Sequence, residues 1–237
     1  MPEKQMIPTS QVLPNKICII PLTGKPIFPG IFMPLMVPSP EDINTVEKSL
    51  SGDGFIGLVL THSAEAESVG GNDLFKVGTA AKIIRKVNLP DGGINIFIST
   101  LKRFRIKRLI QKEKPISAAA EYLDDENFDS DEVRALTRAL ISEMKQISEN
   151  NPLFSEEMRL NMVNIDHPGK ISDFITSILN IDRSEQQKIL ETLDVHERMM
   201  QVLVFIKKEM ELLSIQKKIQ KQINEKILPF LRGWNER

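Results

Sequence analysis

Cysteine is nearly missing from this chain: Cys18 is the one cysteine in 237 residues. A lone cysteine excludes an internal disulfide and fits a reducing compartment. It lies in the apolar run Ile17-Cys18-Ile19-Ile20, where it reads as a small buried hydrophobe, since thiolate chemistry needs a charged, partly exposed setting. An excess of either charge is missing too. Lysine and arginine number 31 against 32 aspartates and glutamates, a net charge of -1. That removes any global polyelectrolyte signal for nucleic acid or anionic membrane. No apolar run approaches the roughly 18 to 20 residues that span a bilayer. Residues 1–15 are polar and proline-containing, with no cationic region leading into an apolar stretch, so no signal peptide is read. A cytoplasmic location is expected.

The usual catalytic patterns are also absent. Two Gly-Lys pairs occur, Gly24-Lys25 and Gly169-Lys170. A phosphate-cradling loop needs a second glycine five positions earlier and a hydroxyl residue after the lysine, and neither pair has them. His196-Glu197 resembles the start of a helical zinc-protease motif, but the fourth residue after His196 is Met200, and one imidazole does not hold zinc. His62, His167 and His196 lie far apart and read as solvated or capping residues. No Gly-x-Ser-x-Gly elbow is found. Asp124 and Asp125 form a carboxylate pair in a hydrophilic stretch, where they read as solvated charge. No catalytic residue, metal ligand or cofactor is therefore assigned, and this chain by itself is not expected to be an enzyme.

What is present is ample core material: 41% apolar and 27% charged residues, ordinary for one or two globular domains. Residues 17–122 carry short β-branched and apolar runs between glycine, proline and asparagine turns. Strands are predicted over 31–37, 55–60, 77–87, 94–99, 104–110 and 116–122. Asn88-Leu-Pro-Asp91-Gly92-Gly93 reads as a hairpin loop, because Asp-Gly and Gly-Gly tolerate positive φ. One helix interrupts this half, capped at Ser39, with Pro40 at its first position and Gly52 beyond its end. From Asp129 onward the pattern is helical. Asp129 with Glu132, Ser184 with Gln187 and Asp194 with Glu197 have the spacing of capping boxes, Pro168 suits a first turn, and a shorter helix is expected over 155–163. The expected organisation is α+β: a tail over 1–16, a compact, barrel-like β-rich subdomain over 17–123, a helical bundle over 124–193, one long helix over 194–228 and a tail over 229–237. No internal repeat is evident.

The long helix is unusual. Met199, Leu203, Ile206, Met210 and Leu213 form a wide stripe at helical spacing. Beyond them Ile215, Ile219, Ile223 and Ile227 recur four apart among lysines and glutamates. A helix striped widely at its start and narrowly at its end packs into a bundle first and then projects, and a projecting seam wants a partner. The bland alternative is a helix lying flat on its own domain. A second candidate is Ile27-Phe28-Pro29-Gly30-Ile31-Phe32-Met33-Pro34-Leu35. Its prolines bar the early part from a central strand, so Phe28, Ile31, Phe32 and Met33 are candidates for an exposed apolar binding surface; plugging a barrel is the alternative. The basic run 102–108 would place Arg103, Arg105 and Lys107 on one strand face with Phe104 and Ile106 on the other. A solvated strand face is preferred there over nucleic-acid contact.

Several motifs resemble one family. Pro21-Leu22, Ile27-Phe28-Pro29-Gly30 and Pro34-Leu35 are similar to the opening of the amino-terminal domain of Lon ATP-dependent proteases. So are the stretch from Asp73-Leu74-Phe75 to Ala81, Leu89-Pro90-Asp91-Gly92 and Arg103-Phe104-Arg105-Ile106. In the helical half, Asp166-His167-Pro168-Gly169-Lys170-Ile171-Ser172-Asp173 resembles the family's Asp-Pro-Gly-Arg-Leu-Ala-Asp stretch, with His167 as a departure. Glu191-Thr192-Leu193-Asp194-Val195-His196-Glu197-Arg198 is similar to its Leu-Glu-x-x-Asp-Val-x-Glu-Arg segment. The resemblance covers about 17–226 and implies a PUA-like β-rich subdomain, a helical bundle and a long helix. It implies capture of unfolded or damaged protein substrates, support of a homo-oligomeric ring, and ATPase and serine-lysine peptidase modules downstream of the matched region. The family's long helix continues as a coiled coil, whereas Pro229 and Gly233 break the pattern here. A free-standing adaptor that presents clients to another protease, or a PUA-like nucleic-acid binder, are the competing readings.

Overall fold

A computed structural model of the chain describes residues 12–65, 69–90, 92–150, 165 and 167–227. The helix expected over 155–163, the break at Pro229 and Gly233, and the tail 229–237 lie outside the described residues. The chain forms two compact units: Met1–Asp124 with Gln186–Glu191, and Asp125–Glu185 with Thr192–Arg237.

The first unit is a mixed sheet of six strands: β1 (Lys16–Leu22), β2 (Phe32–Val37), β3 (Phe55–Leu60), β4 (Val77–Asn88), β5 (Ile94–Gln111) and β6 (Ser117–Tyr122). Helix α1 (Pro40–Leu50) lies between β2 and β3 in sequence. Strand order is β2-β5-β4-β3-β1-β6, and β6 pairs back onto β5. Five strands therefore close on themselves, and β2 is added along the first part of β5. The β1–β3 pairing is parallel and the others antiparallel.

The two strands expected over 94–99 and 104–110 are one strand of 18 residues. Thr100, Leu101, Lys102 and Arg103 contain no glycine or proline, so nothing ends the extended backbone between them. Register shifts in the β4–β5 and β5–β6 ladders accommodate the curvature, as bulges do in closing barrels. Strand β5 thereby pairs with β2 through Ile94–Ser99 and with β6 through Phe104–Gln111.

β3 is buried on both faces throughout, as its unbroken apolar sequence requires. Ile56, Leu58 and Leu60 join Val46 of α1 and Ile96 and Ile98 of β5 in one core cluster. Phe55 and Val59 join Ile17, Ile19, Phe104 and Ile116 in another. Gly57 makes room for the second cluster: a Cβ there would lie 2.7 Å from Cζ of the fully buried Phe104. Burial of one such side chain contributes about 1.5–3 kcal/mol. The β4–β5 hairpin turns as its sequence demands, with Gly92 at φ +88°. The segment Gln186–Glu191 contributes Leu190, whose carbonyl accepts from Arg103 Nε at 2.9 Å, and Gln187, whose Nε2 donates to Val77 O at 3.0 Å.

The second unit contains α2 (Asp131–Asn150), α3 (Pro168–Ile178) and α5 (Val195–Gln222); α4 (Arg183–Glu191) starts in this unit and ends in the first. Ser130, not Asp129, caps α2 by accepting from Val133 N at 3.2 Å. Asp182, not Ser184, caps α4 by accepting from Ser184 N at 2.9 Å. In both places a neighbouring short acceptor outcompetes the residue chosen by spacing. His167 caps α3 through Nδ1, which accepts from Gly169 N at 3.1 Å, with Pro168 in the first turn. Val133, Leu140, Met144 and Ile147 of α2 and Val195, Met199, Val202 and Ile206 of α5 are buried. Val202 is buried and Leu203 only half-buried; both fit steps of three and four between Met199 and Ile206, but at 100° per residue Val202 lies closer to the common direction of Val195, Met199 and Ile206.

Tyr122 gives this fold a spectroscopic handle, being the one tyrosine in the chain. Its hydroxyl donates to Pro14 O at 2.8 Å, and burial, with a smaller contribution from the Asp53 charge, pushes its pKa up to about 12. The neutral phenol is the form the fold favours, so this contribution is intact below about pH 10 and is lost as pH rises through about 12. Phenolate absorbance should accordingly rise near pH 12 in the folded protein; a midpoint near 10, the free-tyrosine value, with the far-ultraviolet spectrum unchanged would refute this placement.

Candidate functional site

Pro34 decides how β2 is used. It lacks an N–H, so its nitrogen must face away from a ladder partner. Strand β2 pairs with β5 and with no other strand among the described residues. Alternation then divides its side chains. Met33 and Leu35 pack against the core, and Val37 is part of it. Phe32, Pro34 and Met36 point outward and are exposed, Phe32 at 64% and Met36 at 65%. Phe97 of β5, opposite Pro34, stacks on Phe32 with ring centroids 6.3 Å apart. Ile84, at a register shift in β4 beside Phe97, is 55% exposed. Phe32, Pro34, Met36 and Phe97 give the outer face of the β2–β5 pair an apolar stretch, with Ile84 near it beside the exposed Arg85, the kind of patch that marks a contact site.

The four residues chosen from sequence fall in different places. Phe32 is on this face. Ile31 is half-buried, and Met33 packs against the core. Phe28 is fully buried; its carbonyl accepts from Thr100 Oγ1 at 2.8 Å, which ties the segment before β2 to β5. Phe28 therefore belongs to the interior and is withdrawn as a surface residue. Met36, Phe97 and Ile84 were missed. Period two from Phe32 leads to Met36, and in Asn95-Ile96-Phe97-Ile98-Ser99 the phenylalanine occupies an outward slot between polar neighbours, so both were detectable.

The second apolar surface lies on α5. Ile215 and Ile219, with Ile223 at the start of the π-helical turn Ile223–Ile227 that follows the helix, are 52%, 51% and 36% exposed. At 100° per residue, Val204, Ile215 and Ile219 lie on the side of the helix away from the buried Met199, Val202 and Ile206, with Met200 and Leu212 flanking them and Ile223 about a quarter-turn from the buried direction. From Ser214 to Glu225 every residue is exposed. Within the described residues the buried stripe ends at Ile206, and exposed isoleucines continue past it.

The helical motifs turn out to be structural. Arg198 is fully buried. Its Nη2 lies 2.7 Å from Asp125 Oδ1, its Nε 3.7 Å from the buried Asp173, and its Nη1 donates to Thr192 O at 3.2 Å. Asp125 is thus part of a buried ion cluster, contrary to its reading as solvated charge. Gly169 is required beside it, since a Cβ there would lie 2.0 Å from Asp125 Oδ2 and 2.6 Å from Arg198 Nη2. Asp194 caps α5, accepting from Glu197 N at 2.9 Å; that bond, with a second from Asn127 Nδ2, holds its carboxyl below the usual range. The basic run is likewise committed: Arg103 is buried, and Arg105 and Lys107 flank Glu121 at 3.6 and 3.5 Å. Among the described residues no group of three metal-binding side chains is clustered, and no helix is long and apolar enough to cross a membrane.

Known proteins share this organisation. Residues 16–208 match the family described as the ATP-dependent protease La (LON) substrate-binding domain. A Lon protease of Treponema pallidum (strain Nichols) is 55% identical over 225 residues, covering 94% of this chain and 25% of that protein. A Lon protease of Leptospira interrogans is 40% identical over 226 residues, covering 95% and 27%. The chain spans about a quarter of the length of these relatives. The solved N-terminal domain of a Mycobacterium avium complex Lon protease has a TM-score of 0.66 at 14% identity, over 81% of this chain and 98% of that one. A Lon N-terminal domain protein from Xanthomonas campestris scores 0.58 at 16% identity, over 80% and 97%. At such identities the structural likeness is one of fold.

Removing one member of the Arg198 cluster leaves its partners charged and buried. Arg198→Leu should cost about 3–5 kcal/mol in urea unfolding, and Asp125→Asn with Asp173→Asn added to it should recover part of that loss. A cost below about 1 kcal/mol would mean the cluster is no more than a surface pair.

Proposed function

Because the chain belongs to the substrate-binding-domain family of the ATP-dependent protease La (LON), we propose that the outer face of β2 captures apolar side chains exposed by unfolded or damaged proteins and presents them for ATP-dependent proteolysis in a cytoplasmic Lon protease. The observation that carries this reading is the Phe32–Met36–Phe97 face, apolar, outward and formed on a rigid sheet. Folded proteins keep such side chains inside, so affinity for them discriminates against intact clients without reading a sequence. Individual contacts are weak, and several copies in one assembly multiply them by effective concentration.

A reduced, carboxymethylated model protein labelled for fluorescence anisotropy tests the reading. Binding should be insensitive to salt, and Phe32→Ser with Met36→Ser should weaken it roughly tenfold while circular dichroism stays unchanged. Equal affinity of the variant and the parent chain rejects this face. Binding that collapses with salt and on neutralising Arg105 and Lys107 favours the polyanion reading instead.

The exposed stripe of α5 favours a second role, contact with further copies of the chain in the assembled protease. Sedimentation of the chain against Ile215→Glu with Ile219→Glu tests it. The parent should show self-association that the variant lacks, and identical monomeric profiles at high concentration would remove Ile215, Ile219 and Ile223 as assembly residues.

A further inference from the structure

We infer that the face on β2 binds its client as an added β-strand, with main-chain hydrogen bonds to the open edge of β2 as well as apolar contacts to its outer side chains. This rests on the reading that the same face engages clients, and adds the mode and the chemical class of the occupant: an extended segment of unfolded polypeptide with apolar residues at alternate positions.

The backbone register supports it. Thr100 N donates to Ile31 O at 2.9 Å and Gly30 N to Thr100 O at 3.0 Å. Following this ladder through the pairs Met33↔Ile98 and Leu35↔Ile96 directs the odd-numbered backbone groups of β2 toward β5. The even-numbered groups then face away, as Pro34 requires. The outer edge therefore offers the N–H groups of Phe32 and Met36 and the carbonyls of Phe32, Pro34 and Met36. No described strand pairs with them. An unpaired row of this kind is a template for another strand. The side chains of these same three residues stand on the outer face, so one docked strand would meet both sets of groups, the arrangement in which main-chain bonds give affinity and alternate side chains give selectivity.

Pro34 also selects the occupant. Two β2 strands paired edge to edge about their centres would bring two prolines together, with the central donor missing on both sides. A second copy of the chain is therefore disfavoured, as prolines on edges generally ensure. A single foreign strand meets that gap once and still has two donors and three acceptors. Folded proteins pair most of their strand backbones and protect the edges that remain, so this edge, like the apolar face, favours unfolded chain.

Three versions of one labelled peptide test this on the intact chain: a ten-residue peptide alternating phenylalanine or valine with serine, the same peptide N-methylated at the amides of its apolar residues, and the same methylated at its serines. N-methylation removes a donor and crowds the ladder without altering side chains. One methylated register should lose roughly tenfold or more in affinity and the other stay within about threefold. On the protein side, Met36→Pro should bind the parent peptide more weakly than Met36→Ala. Both lose the side-chain contact, only the first loses the outward N–H, and neither loses a bond to β5. Equal retention or equal loss in the two registers, or equal affinity of the two Met36 variants, overturns strand addition and leaves side-chain capture standing. Failure of the unmethylated peptide and the unfolded model protein to bind the parent chain overturns both.

Discussion

The β5 ladder is the constraint on which the first unit depends. A single strand of 18 residues is the partner of β4 along one edge and of β2 and then β6 along the other. Closure of the five-stranded ring, placement of β2 beside it, and the junction between the two apolar clusters all follow from β5 remaining unbroken. Its side chains serve both clusters: Ile96 and Ile98 enter the one, Phe104 the other. A proline at Thr100 would remove the N–H that donates to Ile31 O, whereas a proline at position 34 of β2 is accommodated because that strand has a side with no partner among the described strands.

Much of this was legible in the sequence, and the reasons differ by element. Strand β3 read correctly because a short, wholly apolar run bounded by Gly54 and by Thr61-His62 has few alternatives. The capped start of α5 followed from Asp194 and Glu197, whereas the prolines of 26–34 told only that the early part of that segment is no central strand; the edge position of β2 came from the fold. The continuity of β5 was not legible, since its polar middle looks like a break to any reading based on apolar runs. At Asp125 the hydrophilic surroundings pointed to solvent, while the decisive fact, a buried guanidinium 73 positions later, is a long-range pairing that local pattern does not contain. The candidate surface was half legible. Which side chains of the segment 27–35 face outward depends on strand phase: one position separates the partly buried Met33 from the exposed Phe32, while Phe28, in phase with Phe32, is buried because it lies before the strand begins.

The conspicuous helical motifs turned out to be architectural. The Pro168-Gly169 pair, Asp173, Asp194 and Arg198 belong to the two helical stretches most like the family's motifs. In the fold Pro168 opens α3, Asp194 caps α5, and Asp173 with Asp125 faces the buried Arg198. The residues suited to contact, by contrast, form no motif: Phe32, Met36, Phe97 and Ile84 come from three strands, and the α5 stripe is spaced as any amphipathic helix would be. Strongly patterned residues here hold the backbone, and weakly patterned ones meet the outside.

The return of Gln186–Glu191 to the first unit has a consequence for how the protein is made. The Arg103 guanidinium is buried against the Leu190 carbonyl, and the Val77 carbonyl accepts from Gln187. These two bonds span 87 and 110 positions of sequence. During synthesis the β unit is otherwise complete at Asp124, yet Leu190 lies 66 residues farther on (190 minus 124). At about 5–20 residues per second the ribosome needs roughly 3 to 13 s to supply it. The nascent first unit therefore spends that interval with an unfinished seam. Its final closure is timed by translation of the second.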